Sequence, residues 1–137
     1  MGSNHFEFRA SLSDLGEGLD VLHQSVERLR RAVGRDADDL SIIHFETALG
    51  EIGSNVLTHG RPRGTTRPVE YSLLLDGDEI VASLTDSGPM VHEHLGREMP
   101  SLEHEDGRGL AIARSLLDEL GYERVGDLNR WRLVKRL

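Results

Sequence analysis

Apolar side chains recur at steps of three and four in three separate stretches. Leu12, Leu15, Leu19, Leu22, Val26, Leu29 and Val33 form the first series, which predicts an amphipathic helix capped by Ser13 or Asp14 and ended near Gly34. Gly16 and Gly18 weaken its first turns. The second series, Ile42, Phe45, Leu49, Ile52 and Val56, predicts a helix starting at Asp38 or Asp39 and running to Gly60. A third helix is predicted over "GRGLAIARSLLDELG", entered through glycines and left through Gly121.

Elsewhere the pattern has period two. "HFEFRAS" alternates Phe6, Phe8 and Ala10, as a strand with one buried face does. "VEYSLLLDGDEIVASLTDSG" reads as two strands joined by a hairpin at Asp76–Gly77, and "YERVG" with "RWRLVKRL" as a closing hairpin across "DLN". "GRPRGTTRP" cannot continue a helix. From Pro89 to Asp106 the chain is polar, His-rich and aperiodic, and so long a connection in a small domain suggests a lid. The order β-α-α-β-β-lid-α-β-β predicts one α+β domain over residues 1–137, a two-layer sandwich with helices on one face of a mixed, mainly antiparallel sheet.

Composition narrows the setting of this fold. Hydrophobic residues make up 37% and charged residues 29%, enough apolar material for a core and too much for a disordered chain. The net charge of -8 disfavours direct binding to nucleic acid or an anionic membrane. The absence of cysteine excludes disulfides, thiolate metal sites and a cysteine nucleophile. With no apolar run of about 18 residues and no basic-then-apolar leader, the expectation is a cytoplasmic protein.

Three motifs carry candidate chemistry. In "EIGSNVLTHG", Glu51 and Asn55 are one helical turn apart and fall off the apolar stripe, at an edge where a cleft could open. A carboxylate beside an amide oxygen suits a hard cation such as Mg²⁺, or a base beside one, although an exposed Glu and Asn on a half-buried helix is the plainer alternative. His59, a cation-capable ring ahead of Gly60, fits a helix ending. In "TDSGP", Asp86 at a strand end can accept from an exocyclic amine, and Gly88 lets a flat ring approach the backbone; the same residues also make an ordinary turn. In "GRGLAIAR", glycines at a helix start could leave backbone N–H groups free for phosphate, or simply begin a packed helix loosely. Neither a dinucleotide fingerprint nor a P-loop is present.

Together, E-x-x-x-N on a helix, D-x-G at a strand end, a lid and G-x-G-L opening a helix resemble the histidine-kinase-like (GHKL) ATPase superfamily. Within it the chain is similar to the small anti-sigma-factor serine kinases (RsbW-like) from the first strand to Lys135. The resemblance implies a Bergerat-type fold binding ATP and Mg²⁺. It implies Glu51 as catalytic base, Asn55 as the Mg²⁺ ligand, Asp86 on the adenine amino group and Gly88 against the ring. Gly107, Arg108 and Gly109 would hold the phosphates, with Arg108 facing the γ-phosphate charge and Leu110 completing the cofactor-binding set.

The resemblance further implies a serine/threonine kinase that sequesters a sigma factor and phosphorylates a STAS-domain anti-anti-sigma protein, and that forms a homodimer. A nucleotide-responsive switch controlling another signalling protein, with little or no kinase activity, is the alternative. An ATP-hydrolysing machine part fits less well, since no transducer domain follows. In the lid, His92, Glu93, His94 and His104 could hold a metal, but "HEH" lacks the H-E-x-x-H spacing and a solvated loop is the simpler reading.

Overall fold

The computed structural model describes residues 5–36, 38–59, 67–89 and 105–137, with residues 105–108 as backbone alone. Strands β1 (His5–Leu12), β2 (Val69–Asp76), β3 (Glu79–Asp86), β4 (Glu119–Val125) and β5 (Leu128–Arg136) form a single sheet in the order β1-β2-β3-β5-β4. Every described pairing is antiparallel. Helices α1 (Leu15–Val33), α2 (Leu40–His59) and α3 (Glu105–Leu116) complete the predicted α+β sandwich. None of the described helices is long and apolar enough to cross a membrane.

Alternation along the strands decides which face the helices cover. Val69, Tyr71, Leu73 and Leu75 of β2 and Ile80, Ala82 and Leu84 of β3 point inward. They share one core with Leu22, Val26 and Leu29 of α1 and with Ile42, Phe45, Leu49, Ile52 and Val56 of α2, the stripe expected from periodicity. Inside this core the Tyr71 hydroxyl meets Ser25 Oγ at 2.7 Å, and the serine donates on to the Leu22 carbonyl at 2.7 Å. Burial pushes the Tyr71 phenol far above its ordinary pKa, so it stays a neutral hydrogen-bonding group.

Local chemistry sets most boundaries. Asp14, in extended conformation, accepts the Glu17 N–H at 2.8 Å and caps α1, while Gly34 at φ 70° closes it. Asp39 accepts the Ile42 N–H at 3.2 Å, so α2 begins just after it. Gly77, at φ 66°, opens the two-residue loop Gly77–Asp78, so the β2–β3 hairpin forms one residue later than the Asp76–Gly77 signal suggests, and Asp76 still pairs with Glu79 at the end of β2. Leu12, first of the predicted α1 series, is instead the buried end of β1, and Leu15 is exposed. The end of α2 falls at His59, and Gly60 lies outside the described residues.

Two glycines that lower helix propensity have a packing role. A Cβ built on Gly18 would lie 2.6 Å from Leu57 Cδ1, and one on Gly53 would lie 2.4 Å from Leu22 Cδ1. The missing side chains let α1 and α2 approach closely.

The third helix ends earlier than its periodicity suggests. Leu116 closes α3, and β4 already begins at Glu119, with Gly121 inside the strand opposite Arg132. Sheet pairing overrides local pattern here. The Asp118 N–H donates to the Val134 carbonyl at 2.9 Å, its carboxylate accepts the Arg136 N–H at 2.7 Å, and Lys135 Nζ caps the Leu116 carbonyl at 2.9 Å. The closing loop is Gly126–Asp127, with Gly126 at φ 62°, so Leu128 and Asn129 of the predicted "DLN" turn belong to β5.

Candidate active site

Glu51 and Asn55 project from α2 beside its buried stripe, both half-buried, as their angular positions require. The helix packed against them is α3. A Cβ built on Gly109 would lie 2.9 Å from Glu51 Oε2 and 3.6 Å from Asn55 Nδ2. The first and third motifs therefore meet, and they meet because residue 109 has no side chain.

The glycines do not precede the helix, as the sequence suggests, but lie in its opening turns, since α3 starts at Glu105. Gly107, third in the helix, is among the first residues whose N–H lacks an intrahelical acceptor, whereas Gly109 is already inside the ladder. The contribution of Gly109 is thus steric clearance for Glu51 and Asn55. Leu110 is 4% exposed and belongs to the core, anchoring α3 instead of reaching outward. The Arg108 side chain and the lid residues His92, Glu93, His94 and His104 lie outside the described residues.

The second motif forms a separate polar cluster at the end of β3. Asp86 is 2% exposed, and its Oδ1 accepts from the Gly88 N–H at 2.8 Å and from Asn129 Nδ2 at 2.9 Å. Its Oδ2 is also buried but has no hydrogen-bond partner among the described residues. Burial raises the Asp86 pKa, opposed by the Asn129 and Gly88 hydrogen bonds, by the Trp131 indole N–H, which acts on the carboxylate without reaching hydrogen-bond geometry, and by the nearby Arg124 charge. A buried carboxylate oxygen left open is costly unless something donates to it, so this position suits an incoming N–H group.

Asn129 and Arg124 were not foreseen. Asn129 stands directly opposite Asp86 in the β3–β5 register, and Arg124 reaches in from β4 to donate to the Gly88 carbonyl at 2.7 Å. Period two was the available signal: Asn129 is in phase with inward Trp131 and Leu133, and Arg124 with Leu120 and Tyr122.

Another His–carboxylate group joins α1 to α2. Ligand-type atoms of His23, Glu27 and Glu46 lie within 4.8 Å of one another. Buried Arg30 donates to Glu27 and lies 3.8 Å from Glu46, so these acids already have a cation, and the group reads as a tie between helices. By contrast, Glu51 and Asn55 offer hard oxygen donors without such a counter-charge among the described ion pairs, a donor set that fits Mg²⁺.

A five-stranded antiparallel sheet, a helix presenting Glu and Asn to a glycine-opened helix, and a buried aspartate at a strand end define a nucleotide-binding sandwich of the ATPase-kinase class. The chain belongs to the histidine kinase-like ATPase domain family, whose model matches residues 12–135. Among solved structures it is similar to the RsbU and RsbW domains of Rv1364c from Mycobacterium tuberculosis, at 20% identity and TM-score 0.70 over 96% of this chain. That match covers 32% of the other chain, so this chain spans about a third of its length. It is also similar to the catalytic domain of histidine kinase ThkA, at 16% identity and TM-score 0.56, covering 98% of this chain and 96% of that one. Histidine kinase AdeS from Acinetobacter baumannii aligns at 10% identity and TM-score 0.53, over 94% of this chain and 67% of that one. At these identities the likeness is one of fold. No curated protein matches the chain.

Proposed function

We propose that this chain is an ATP-dependent serine/threonine protein kinase that acts as an anti-sigma factor. It phosphorylates a serine on a STAS-domain anti-anti-sigma protein and sequesters a sigma factor when that antagonist is phosphorylated. The observation that carries the reading is the closeness of Glu51 and Asn55 to Gly109, which supports a base and a metal ligand beside the opening turns of the helix that would face the phosphates. The RsbW domain of the similar mycobacterial structure supports the direction of the proposal.

In this reading Asp86 accepts from the adenine amino group through Oδ2, and Gly88 allows the ring to approach. Asn55 would hold Mg²⁺, which when bound would offset phosphate charge, and Gly107, Arg108 and Gly109 would line the phosphate side. Glu51 takes the proton of the serine hydroxyl. The serine oxygen then bonds to the γ-phosphorus as the bond from that phosphorus to the β–γ bridging oxygen breaks, releasing ADP. Catalysis of this kind needs positioning and charge neutralisation more than covalent help from the protein.

The test is phosphate transfer from radiolabelled Mg-ATP to candidate STAS proteins. Label on a STAS serine, lost in Glu51→Ala while ATP still binds, is the expected result. Tight ATP binding with no label on any STAS partner would favour a nucleotide-responsive switch instead.

A further inference from the structure

The buried polar cluster behind Asp86 is more elaborate than an Asp-x-Gly turn requires. Asn129 is 1% exposed, and all of its amide is engaged. Its Oδ1 accepts from the Tyr122 hydroxyl and from Arg124 Nη1 at 3.1 Å. Those two donors determine which way the amide faces, so Nδ2 must point toward acceptors. It finds three of them: Asp86 Oδ1 at 2.9 Å, the Gly88 carbonyl at 3.1 Å and the Pro89 carbonyl at 2.9 Å. Arg124 Nη1 holds the same Gly88 carbonyl at 2.7 Å. Two residues from neighbouring strands thus grip both the carboxylate and the backbone of the turn.

The consequence falls on Asp86. Oδ1 is saturated by two N–H donors, which fixes the carboxylate plane and leaves Oδ2 as its open acceptor. We infer that Asn129 and Arg124 are positioning residues for base recognition: they hold Asp86 so that Oδ2 faces the nucleobase as an acceptor, and so favour a 6-amino purine over a 6-oxo purine. This rests on the reading of Asp86 as the base-binding residue. A 6-amino group presents an N–H to that oxygen, whereas a 6-oxo group presents a second acceptor, and a buried polar mismatch of that sort is strongly discriminating.

The cluster also bears on protonation. Among the described residues the charged and titratable groups around it are Arg124 and Tyr122 of β4, while β5 contributes neutral Asn129 and Trp131. Burial favours the protonated acid, and the strongest opposition to this comes from the Asn129 hydrogen bond. Removing Asn129 raises the Asp86 pKa further, so the carboxylate form, and with it binding of a 6-amino purine, is lost at a higher pH.

The experiment is isothermal titration of the full chain with ATP and with ITP, from pH 5.5 to 8.5, on wild type, Asn129→Leu, Arg124→Met and Asp86→Ala. Expected at neutral pH are an ATP affinity lowered roughly tenfold to a hundredfold in Asn129→Leu and about fivefold in Arg124→Met. The ATP-to-ITP preference shrinks in both variants, and the acid limb of ATP binding moves to higher pH in Asn129→Leu. A purely structural role would not move that limb. Should Asn129→Leu fail to fold, Arg124→Met, whose side chain lies at the cluster edge, carries the same selectivity test. If wild type binds ATP and Asp86→Ala does not, yet the folded positioning variants keep wild-type affinity, selectivity and pH profile, the inference is overturned while the nucleotide site stands. If wild type binds no ATP at all, the nucleotide reading fails and the inference falls with it.

Discussion

Gly109 and Glu51 lie so close that a Cβ on the glycine would sit 2.9 Å from the glutamate Oε2. The opposing atom is the far end of a flexible side chain, so a larger residue there would displace the carboxylate more readily than it would disturb the fold.

Gly109→Ala therefore separates function from stability. Within a helix alanine is favoured over glycine by about 1 kcal/mol, so the variant is expected to melt at or above the wild-type temperature. The displaced Glu51 no longer meets its substrate correctly, and a misplacement of that order costs roughly a hundredfold in transfer rate. Thermal melts and phosphate transfer to the STAS substrate check the two halves. Wild-type transfer by Gly109→Ala would show that the clearance at residue 109 has no bearing on catalysis.

Two glycines three residues apart on α2 should respond with opposite sign. Nothing lies within 4 Å of a Cβ on Gly50, whereas one on Gly53 would meet Leu22 Cδ1 at 2.4 Å inside the core. Gly50→Ala is expected to stabilise by up to about 1 kcal/mol through helix propensity alone. In Gly53→Ala the overpacking cost of about 1–3 kcal/mol outweighs that gain and the protein is destabilised. Adding Leu22→Ala to Gly53→Ala should cost less than Leu22→Ala costs alone, because the new methyl partly fills the space left. Urea denaturation of the four variants measures this, and strict additivity would contradict the close approach of α1 and α2.

These residues also mark what could be read from the chain before any coordinates. The three-and-four spacing from Ile42 to Val56 specifies both a helix and its buried face, so Glu51 and Asn55 fell at the edge by geometry alone. Asp76–Gly77 announced a hairpin because the turn chemistry is local, although the loop itself is Gly77–Asp78, one residue later. Asn129 could not be recognised the same way. Its partner Asp86 is 43 residues distant, and two residues after Asp127 it resembled turn material. "LLDEL" continues the spacing of α3, and only pairing with β5 turns Leu120 into a strand residue. Gly18 looked like a weakness, and Gly53 went unnoticed, because the atoms that exclude a side chain there belong to another helix. What was missed depends on partners far away in sequence; what was found depends on neighbours within a turn.

Asp86 should make the ligand-free protein less stable than it could be. Burial raises its pKa, so the native state holds this proton more tightly than the unfolded chain, whose value is about 3.9. Its contribution to stability is then fully present below the unfolded-chain value and is lost as pH rises through the raised native value. Asp86→Asn keeps an oxygen for the Gly88 and Asn129 donors and removes the buried charge. At pH 8 without nucleotide the variant is expected to be more stable than wild type by on the order of 1 kcal/mol, with the difference narrowing as the pH is lowered. The lowered pKa values of Glu7 and Asp39 are common to both proteins and cancel in the comparison. Mg-ATP should reverse the order, raising the melting temperature of wild type by mass action while leaving the variant nearly unmoved, since its amide N–H₂ would face the adenine amino group. Denaturation curves of both proteins at several pH values, with and without Mg-ATP, measure all of this. Greater stability of ligand-free wild type at pH 8 would mean that Asp86 serves the fold, and that its open oxygen is not held in reserve for a ligand.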